Sequence, residues 1–312
     1  MAVGAAISAA LIVAAIAPAT APTTTYAVIQ RREASGPFVD RVLGILAIND
    51  AATVLVFSAI SAVVAAQLGA GVSSSVIGGA LLHAAKTEGL SVAAGVAPGI
   101  VHLALRRLVA DGTPGWESRL TAVLIGLLVL AIGVAITFEL SHLLVPLSLG
   151  MVIANGVGDA ERSQIHTLIR PFEQPLFILF FVLAGARLPV SAVEHLAILT
   201  ASLAYLAGRF AGKYMGIFVT ASALRLDRPT GRYLGLCFPS QGALAMGLIL
   251  AFRESPAVQR LSPDAQQPID AAVSIILVSV LLSQLVGPLL IDFAVRRGSM
   301  GNSRSPVGPN PE

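Results

Sequence analysis

The sequence predicts an all-α polytopic membrane protein with about nine transmembrane segments, and three observations predict it. Of its 312 residues, 55% are hydrophobic and only 12% are charged. The mean hydropathy of +0.83 reflects more apolar surface than a soluble core of this length can use. Second, the apolar residues fall into runs long enough, at 1.5 Å per helical residue, to cross a ~30 Å hydrocarbon core. Third, the basic residues sort to one side. With the loops assigned alternately, fourteen of the 20 lysines and arginines fall on one side and four (Lys86, Arg187, Arg253 and Arg260) on the other. Arg209 and Lys213 are left inside a segment. This is the positive-inside pattern, and it puts the C-terminus in the cytoplasm. It also explains the pI near 9.4 as topology, so no nucleic-acid partner is expected.

The segments follow in order. The first covers about 3–30 and is interrupted from Pro18 to Thr25; the second covers 38–68. A semipolar stretch at 73–88 leads into a third at 90–109. Segments at 120–138, 140–155, 171–188, 196–224, 233–252 and 271–295 complete the membrane domain, 1–297. The tail, 298–312, is rich in Gly, Pro, Ser and Asn and is expected to be disordered. The N-terminus is apolar without a basic region before it, which is a poor match to a cleaved signal peptide.

The second segment carries Ala47-Ile48-Asn49-Asp50-Ala51. Arg41 marks its polar end, and Asp50, nine residues on, lies roughly 13 Å deeper, near the bilayer midplane. A charge there costs at least a few kcal/mol, so an acid at that depth points to an ion or proton site. The seventh segment carries Arg209 near its middle, with Lys213 one turn further on the same face. An arginine so deep needs a partner or a water-filled cavity, and Asp50 is the one acid at comparable depth. A structural brace between helices and a direct part in transport both fit Arg209.

Two segments are interrupted. Pro18 and Pro22 each lack an N–H and clash with a preceding helical turn. Thr20, Thr23, Thr24 and Thr25 stand between and after them. Their hydroxyls and the freed carbonyls suit a dehydrated cation and satisfy a broken backbone. Phe238-Pro239-Ser240-Gln241-Gly242 interrupts the eighth segment in the same way. One early and one late broken segment, with a midplane acid and a midplane base, is the pattern of an inverted-repeat transporter whose half-helices cross at the site.

These stretches resemble the monovalent cation:proton antiporters with a sodium/hydrogen exchanger domain. The resemblance is carried by A-T-A-P-T-T-T from Ala19, A-I-N-D-A from Ala47, and P-L-F-I-L-F-F-V-L-A-G-A-R-L from Pro175. It continues in A-G-R-F-A-G-K from Ala207 and F-P-S-Q-G-A from Phe238. It implies a core domain with two crossed broken helices, moving against a dimerisation domain in a homodimer. It further implies that Asp50 binds the ion or proton, with Asn49 before it, that Thr20 lies at the first break, and that Arg209 faces the site. The expected activity is secondary-active exchange of Na+ or K+ for H+ by competition at Asp50. The expected location is a bacterial plasma (inner) membrane. The chain is similar to the family from its first broken helix onward, without the leading helices. Many relatives carry two adjacent aspartates where this chain has Asn-Asp, which resembles the electroneutral branch. That branch often has a glutamate five residues before the asparagine, where Gly44 stands here. A cation-coupled symporter or channel-like protein on a related fold, and a transport-dead partner subunit, are the alternatives.

Other signals are weaker. The five histidines, His83, His102, His142, His166 and His195, show no metal-ligand spacing. Cys237 stands alone, which excludes a disulfide framework or a cysteine metal cluster. No Ser/His or paired-carboxylate arrangement suggests an enzyme, and no cofactor is expected. Gly95 and Gly99, four apart, read as close helix packing.

Overall fold

A computed structural model describes residues 2–70, 74–109, 116–158 and 196–299, with isolated positions between 162 and 186. Eleven α-helices and no strand occur among the described residues. They are α1 (Ala2–Ile16), α2 (Pro22–Arg31), α3 (Pro37–Ala70), α4 (Ser74–Val109), α5 (Trp116–Thr137) and α6 (Leu144–Gly156). Then come α7 (Leu196–Ala223), α8 (Arg228–Tyr233), α9 (Ala243–Arg253), α10 (Pro256–Gln259) and α11 (Pro263–Ser299), with a 3-10 turn at Leu234–Cys237 between α8 and α9. Three of these, within α3, α4 and α11, are long and apolar enough to cross a membrane by length and composition. The expected segment at 171–188 and the tail lie largely or wholly outside the described residues.

The helices form two compact units, one of 1–53 with 181–312, the other of 54–180. The first holds both interrupted helices. Its core joins Val28, Ile29, Phe38, Val42, Leu234, Phe238, Ile291 and Val295, so α2, the start of α3, the 3-10 turn and the end of α11 share one apolar interior. At its polar end, Asp227 caps α8 by accepting from the Thr230 backbone N–H, and Arg41 donates to both Asp227 and Thr230 at 2.6 Å. Burial pushes the Asp227 carboxyl up, but the bonds from Thr230 and Arg41 outweigh it and hold the group below its ordinary range.

In the second unit, α4 runs unbroken from Ser74 to Val109, so the expected lead-in, from 74 to 88, is the first part of the helix itself. Some of its polar residues find partners, while His102, buried on the same helix, has both ring nitrogens without one. Ser91 Oγ donates to Thr87 O at 2.7 Å and accepts from Ser141 N–H at 2.9 Å, and the Ser58 hydroxyl bonds Glu88. Small residues let α4 and α6 touch backbone to backbone. A Cβ at Gly95 would lie 2.1 Å from Val145 O, and one at Gly99 would lie 2.8 Å from Val152 Cβ. The seam is sealed by Val145, Leu149 and Ile153, packed with Ala131 and Ala135 of α5.

Gly95→Ala should therefore destabilise the detergent-solubilised protein by about 1–3 kcal/mol through overpacking. Gly126→Ala on α5, where a Cβ meets nothing within 4 Å, should instead be neutral or stabilising by up to about 1 kcal/mol. Thermal unfolding of both proteins checks this; equal midpoints would mean that the seam is not packed as described.

Candidate functional site

The site is built where the two breaks cross. After α1 ends at Ile16, the chain turns through Ala17 and Pro18, which supplies no N–H, and reaches an extended Ala21 before Pro22 restarts it as the first residue of α2. Pro22 thus starts a helix, where its missing N–H is harmless, while Pro18 occupies the interruption itself. The second break follows Cys237 and ends at Ala243. The two are stitched directly: Ala21 N–H donates to Ser240 O at 2.9 Å. Two glycines permit this approach. A Cβ at Gly242 would lie 3.0 Å from Ala21 Cβ, and one at Gly287 would lie 1.9 Å from Ser240 Oγ.

Breaking two helices frees several carbonyls, which cannot be left unpaired away from water. Arg209, 5% exposed, takes most of them. Its Nε donates to Ala17 O at 2.9 Å and its Nη1 to Pro239 O at 2.5 Å, while Nη2 bonds Ala19 O and reaches Ser240 O at 3.5 Å. One planar guanidinium therefore grips both breaks, a task that its fixed fork of donors suits. The expected pairing of Arg209 with Asp50 is not what the structure holds: its partners are backbone oxygens, because the freed carbonyls already supply the negative charge density it needs.

Lys213, one turn along α7, donates to Pro18 O at 2.5 Å and to Thr20 Oγ1 at 2.6 Å, with Ala19 O at 3.4 Å. Asn49 on α3 points its amide at the same pair, with Nδ2 3.0 Å from both Pro18 O and Thr20 Oγ1. Thr20, 1% exposed, is thus shared between a lysine and an amide, and its own hydroxyl lies 3.3 Å from Pro18 O. Three donors converge on the single carbonyl of Pro18. Asp50 is half-buried, and its Oδ1 is buried without a hydrogen-bond partner. The Asn49 amide and the Lys213 charge are the polar groups that act on it. Among the described residues no ion pair within 4 Å engages Asp50.

The other expected residues fall in place unevenly. Thr23 is exposed on α2 and joins none of these contacts. Thr24 and Thr25 fasten α2, donating to Gln284 Oε1 at 3.0 Å and Cys237 O at 3.1 Å. Gln241, fully buried, is the hub of a polar layer. Its Nε2 donates to Tyr205 OH at 2.9 Å, its N–H to Ser283 Oγ at 3.0 Å, and its carbonyl accepts from Gln284 Nε2 at 2.6 Å. Ser240 Oγ is buried without a partner. Tyr205, Ser283 and Gln284 were not singled out in the sequence. Two signals were available: Tyr205 stands one turn before Arg209, and Ser279 and Ser283 are four apart in an apolar helix.

A cavity of about 720 Å³ opens on this cluster, lined by Pro18, Asn49, Tyr205, Arg209, Lys213 and small residues of α1 and α7. A second, of about 440 Å³, shares Ile45, Gly216 and Ile217 with it and reaches Arg41. Gly44 lines that second space, and a Cβ there would meet nothing within 4 Å. No group of His, Cys, Asp or Glu suited to a resident metal occurs among the described residues. The cavity presents hard oxygen ligands beside Arg209 and Lys213, and Asp50 follows its lining residue Asn49 in the chain, which is chemistry suited to a monovalent cation or a proton.

Arg209→Lys tests the brace. One ammonium cannot span carbonyls of both breaks, and each carbonyl left bare costs about 1–3 kcal/mol. The unfolding midpoint should drop by at least about 5 °C, well beyond the effect of Lys213→Gln. An unchanged midpoint would remove Arg209 as the clamp.

Comparison with known proteins gives one family. The model for "Sodium/hydrogen exchanger, transmembrane" matches residues 1–297. No curated protein matches the chain. The match spans both breaks, the Asn49-Asp50 pair and the helix of Arg209 and Lys213, and the chain belongs to the transmembrane sodium/hydrogen exchanger family.

Proposed function

We propose that the chain exchanges Na+ or K+ for H+ at the carboxylate of Asp50. Its family makes it an integral membrane cation:proton antiporter in general terms; the ion and the carboxylate are our reading. The observation that carries it is the buried, unpartnered Oδ1 of Asp50, next in sequence to an amide that holds the oxygens of the first break. In this reading Asp50 joins Pro18 O and Thr20 Oγ1, the oxygens its neighbour Asn49 holds, as an all-oxygen set of the kind that replaces the water of a hard cation. A carboxylate holds a proton or such a cation, and each excludes the other. Loaded with either, the site carries less charge and crosses the apolar barrier more cheaply. Empty, it meets the membrane charge penalty of at least a few kcal/mol, which suppresses uncoupled leak.

Asn49 cannot titrate, so the simplest count is one cation per proton with no net charge moved. One observation favours a second count. The Lys213 ammonium rests on Pro18 O and Thr20 Oγ1, oxygens that the transported cation would use. A lysine displaced by the cation can give up its proton where an arginine cannot, and the exchange would then move charge. The protein acts in this reading as a homodimer in a bacterial plasma membrane, with its C-terminus in the cytoplasm.

The test is flux in reconstituted vesicles with a preset pH gradient. Addition of Na+ or K+ should dissipate the gradient with wild-type protein. Asp50→Asn keeps shape but removes the titrating charge, and should lower the rate at least about 100-fold while the protein still inserts. Wild-type-like exchange by Asp50→Asn would contradict the mechanism. Dissipation that required a co-transported solute would favour the symporter, and a complete lack of flux by wild type would favour the partner subunit.

A further inference from the structure

The transport site leaves unexplained a group of arginines at the end of the first unit, where α2, α8 and α11 terminate. Arg32 grips Asp292 with two bonds, at 2.6 and 2.7 Å, and Arg31 stands 3.6 Å from the same carboxylate. That engagement takes both Asp292 oxygens, and Arg296 acts on the same carboxylate only at longer range. Arg232, Arg296 and Arg297 are all exposed, and none has a carboxylate within 4 Å among the described residues. Two of these cations are nevertheless held in place. Tyr233 and Phe293 meet edge to face, with centroids 5.9 Å apart. Arg232 lies over Tyr233 and Arg297 over Phe293, each 5.8 Å from the ring centre. Stacking on an aromatic face orients a guanidinium and leaves its N–H donors free for an anion.

An apolar ridge runs to the same point. Leu281, Leu285, Leu289 and Phe293 recur every four residues along α11 and are 56, 66, 72 and 47% exposed, and Arg297 is the next member of the series. From Leu285 to Arg297 is twelve residues, or about 18 Å. That is close to one leaflet of a ~30 Å hydrocarbon core. A ridge one leaflet long, ending in two ring-oriented cations with no ion pair among the described residues, matches a molecule with an apolar chain and an anionic head.

We infer that this end of α11 binds an anionic phospholipid, with its phosphate among Arg232, Arg296 and Arg297 and an acyl chain along the Leu285–Leu289–Phe293 ridge. Ordinary sorting of basic residues to one side explains the presence of arginines. It does not explain two of them stacked on a packed aromatic pair at the head of an exposed ridge. The inference does not depend on which ion the chain carries.

The test uses the whole protein in phosphatidylcholine vesicles, with spin-labelled phosphatidylglycerol or phosphatidylcholine as probe. Wild-type protein should select phosphatidylglycerol. Each arginine near an anionic lipid is worth about fivefold, so Arg232→Gln with Arg297→Gln should cut the selectivity at least about fivefold. The corresponding double lysine variant, which keeps both charges, should retain most of it and controls for folding. Equal selectivity in wild type and the glutamine variant would overturn the proposal. So would competition by millimolar inorganic phosphate strong enough to abolish selectivity, since a free-phosphate site would then be the answer. A change of oligomeric state in the glutamine variant, with lipid selectivity intact, would make the patch an interface between copies and would equally overturn it.

Discussion

The structure depends on how a protein surrounded by lipid keeps two broken helices from leaving bare carbonyls. Each break is useful because it presents backbone oxygen, and costly for the same reason. Arg209 resolves this by taking oxygens from both breaks at once, with Ala21 N–H to Ser240 O as a second stitch. Every other feature of the site follows from that clamp. Gly242 and Gly287 are small because the breaks must come close, and the Gln241, Ser283 and Gln284 layer satisfies the polar groups on the far side of the crossing.

Once Arg209 has taken Ala17 O, Ala19 O and Pro239 O, Pro18 O and Thr20 Oγ1 are what is left for a mobile ion. Asn49 and Lys213 are both aimed at that pair. The division of labour between the two cations of α7 is therefore physical. Arg209 is spent on structure, whereas Lys213 sits on exchangeable ligands at the edge of a cavity. Asp50 feels the Lys213 charge without an ion pair among the described residues, and one of its oxygens is still to be satisfied. In the proposed reading, a carboxylate with one unsatisfied oxygen beside an ammonium and a neutral amide is completed by a cation or a proton.

Much of this was legible in the sequence. The helix expected at 38–68, which carries Arg41 and Asp50, is observed as Pro37–Ala70. The prolines located both breaks. What the sequence hid was the role of the backbone. Counting side chains left Arg209 with Asp50 as its one partner of suitable depth, because freed carbonyls do not appear in a list of residue types. For the same reason Thr24 and Thr25 read as possible ligands, though they fasten α2 to Gln284 and Cys237 O. The 73–88 stretch read as a connection because its charges are countable, whereas Ser58, which partners Glu88, is far from it in the chain. Gly95 and Gly99 were readable as packing residues because four-residue spacing of small side chains has one common use in membrane helices.

Competition of cation and proton for one carboxylate is the central claim, and the pH dependence of the apparent cation KM tests it most directly. Exchange rates would be measured in vesicles across several pH values, each with a full cation titration. One-site competition predicts that on the acid side KM rises about tenfold for each pH unit lost, with the maximal rate nearly constant. A KM that stays constant with pH while the maximal rate changes would contradict the account, because proton and cation would then occupy different sites.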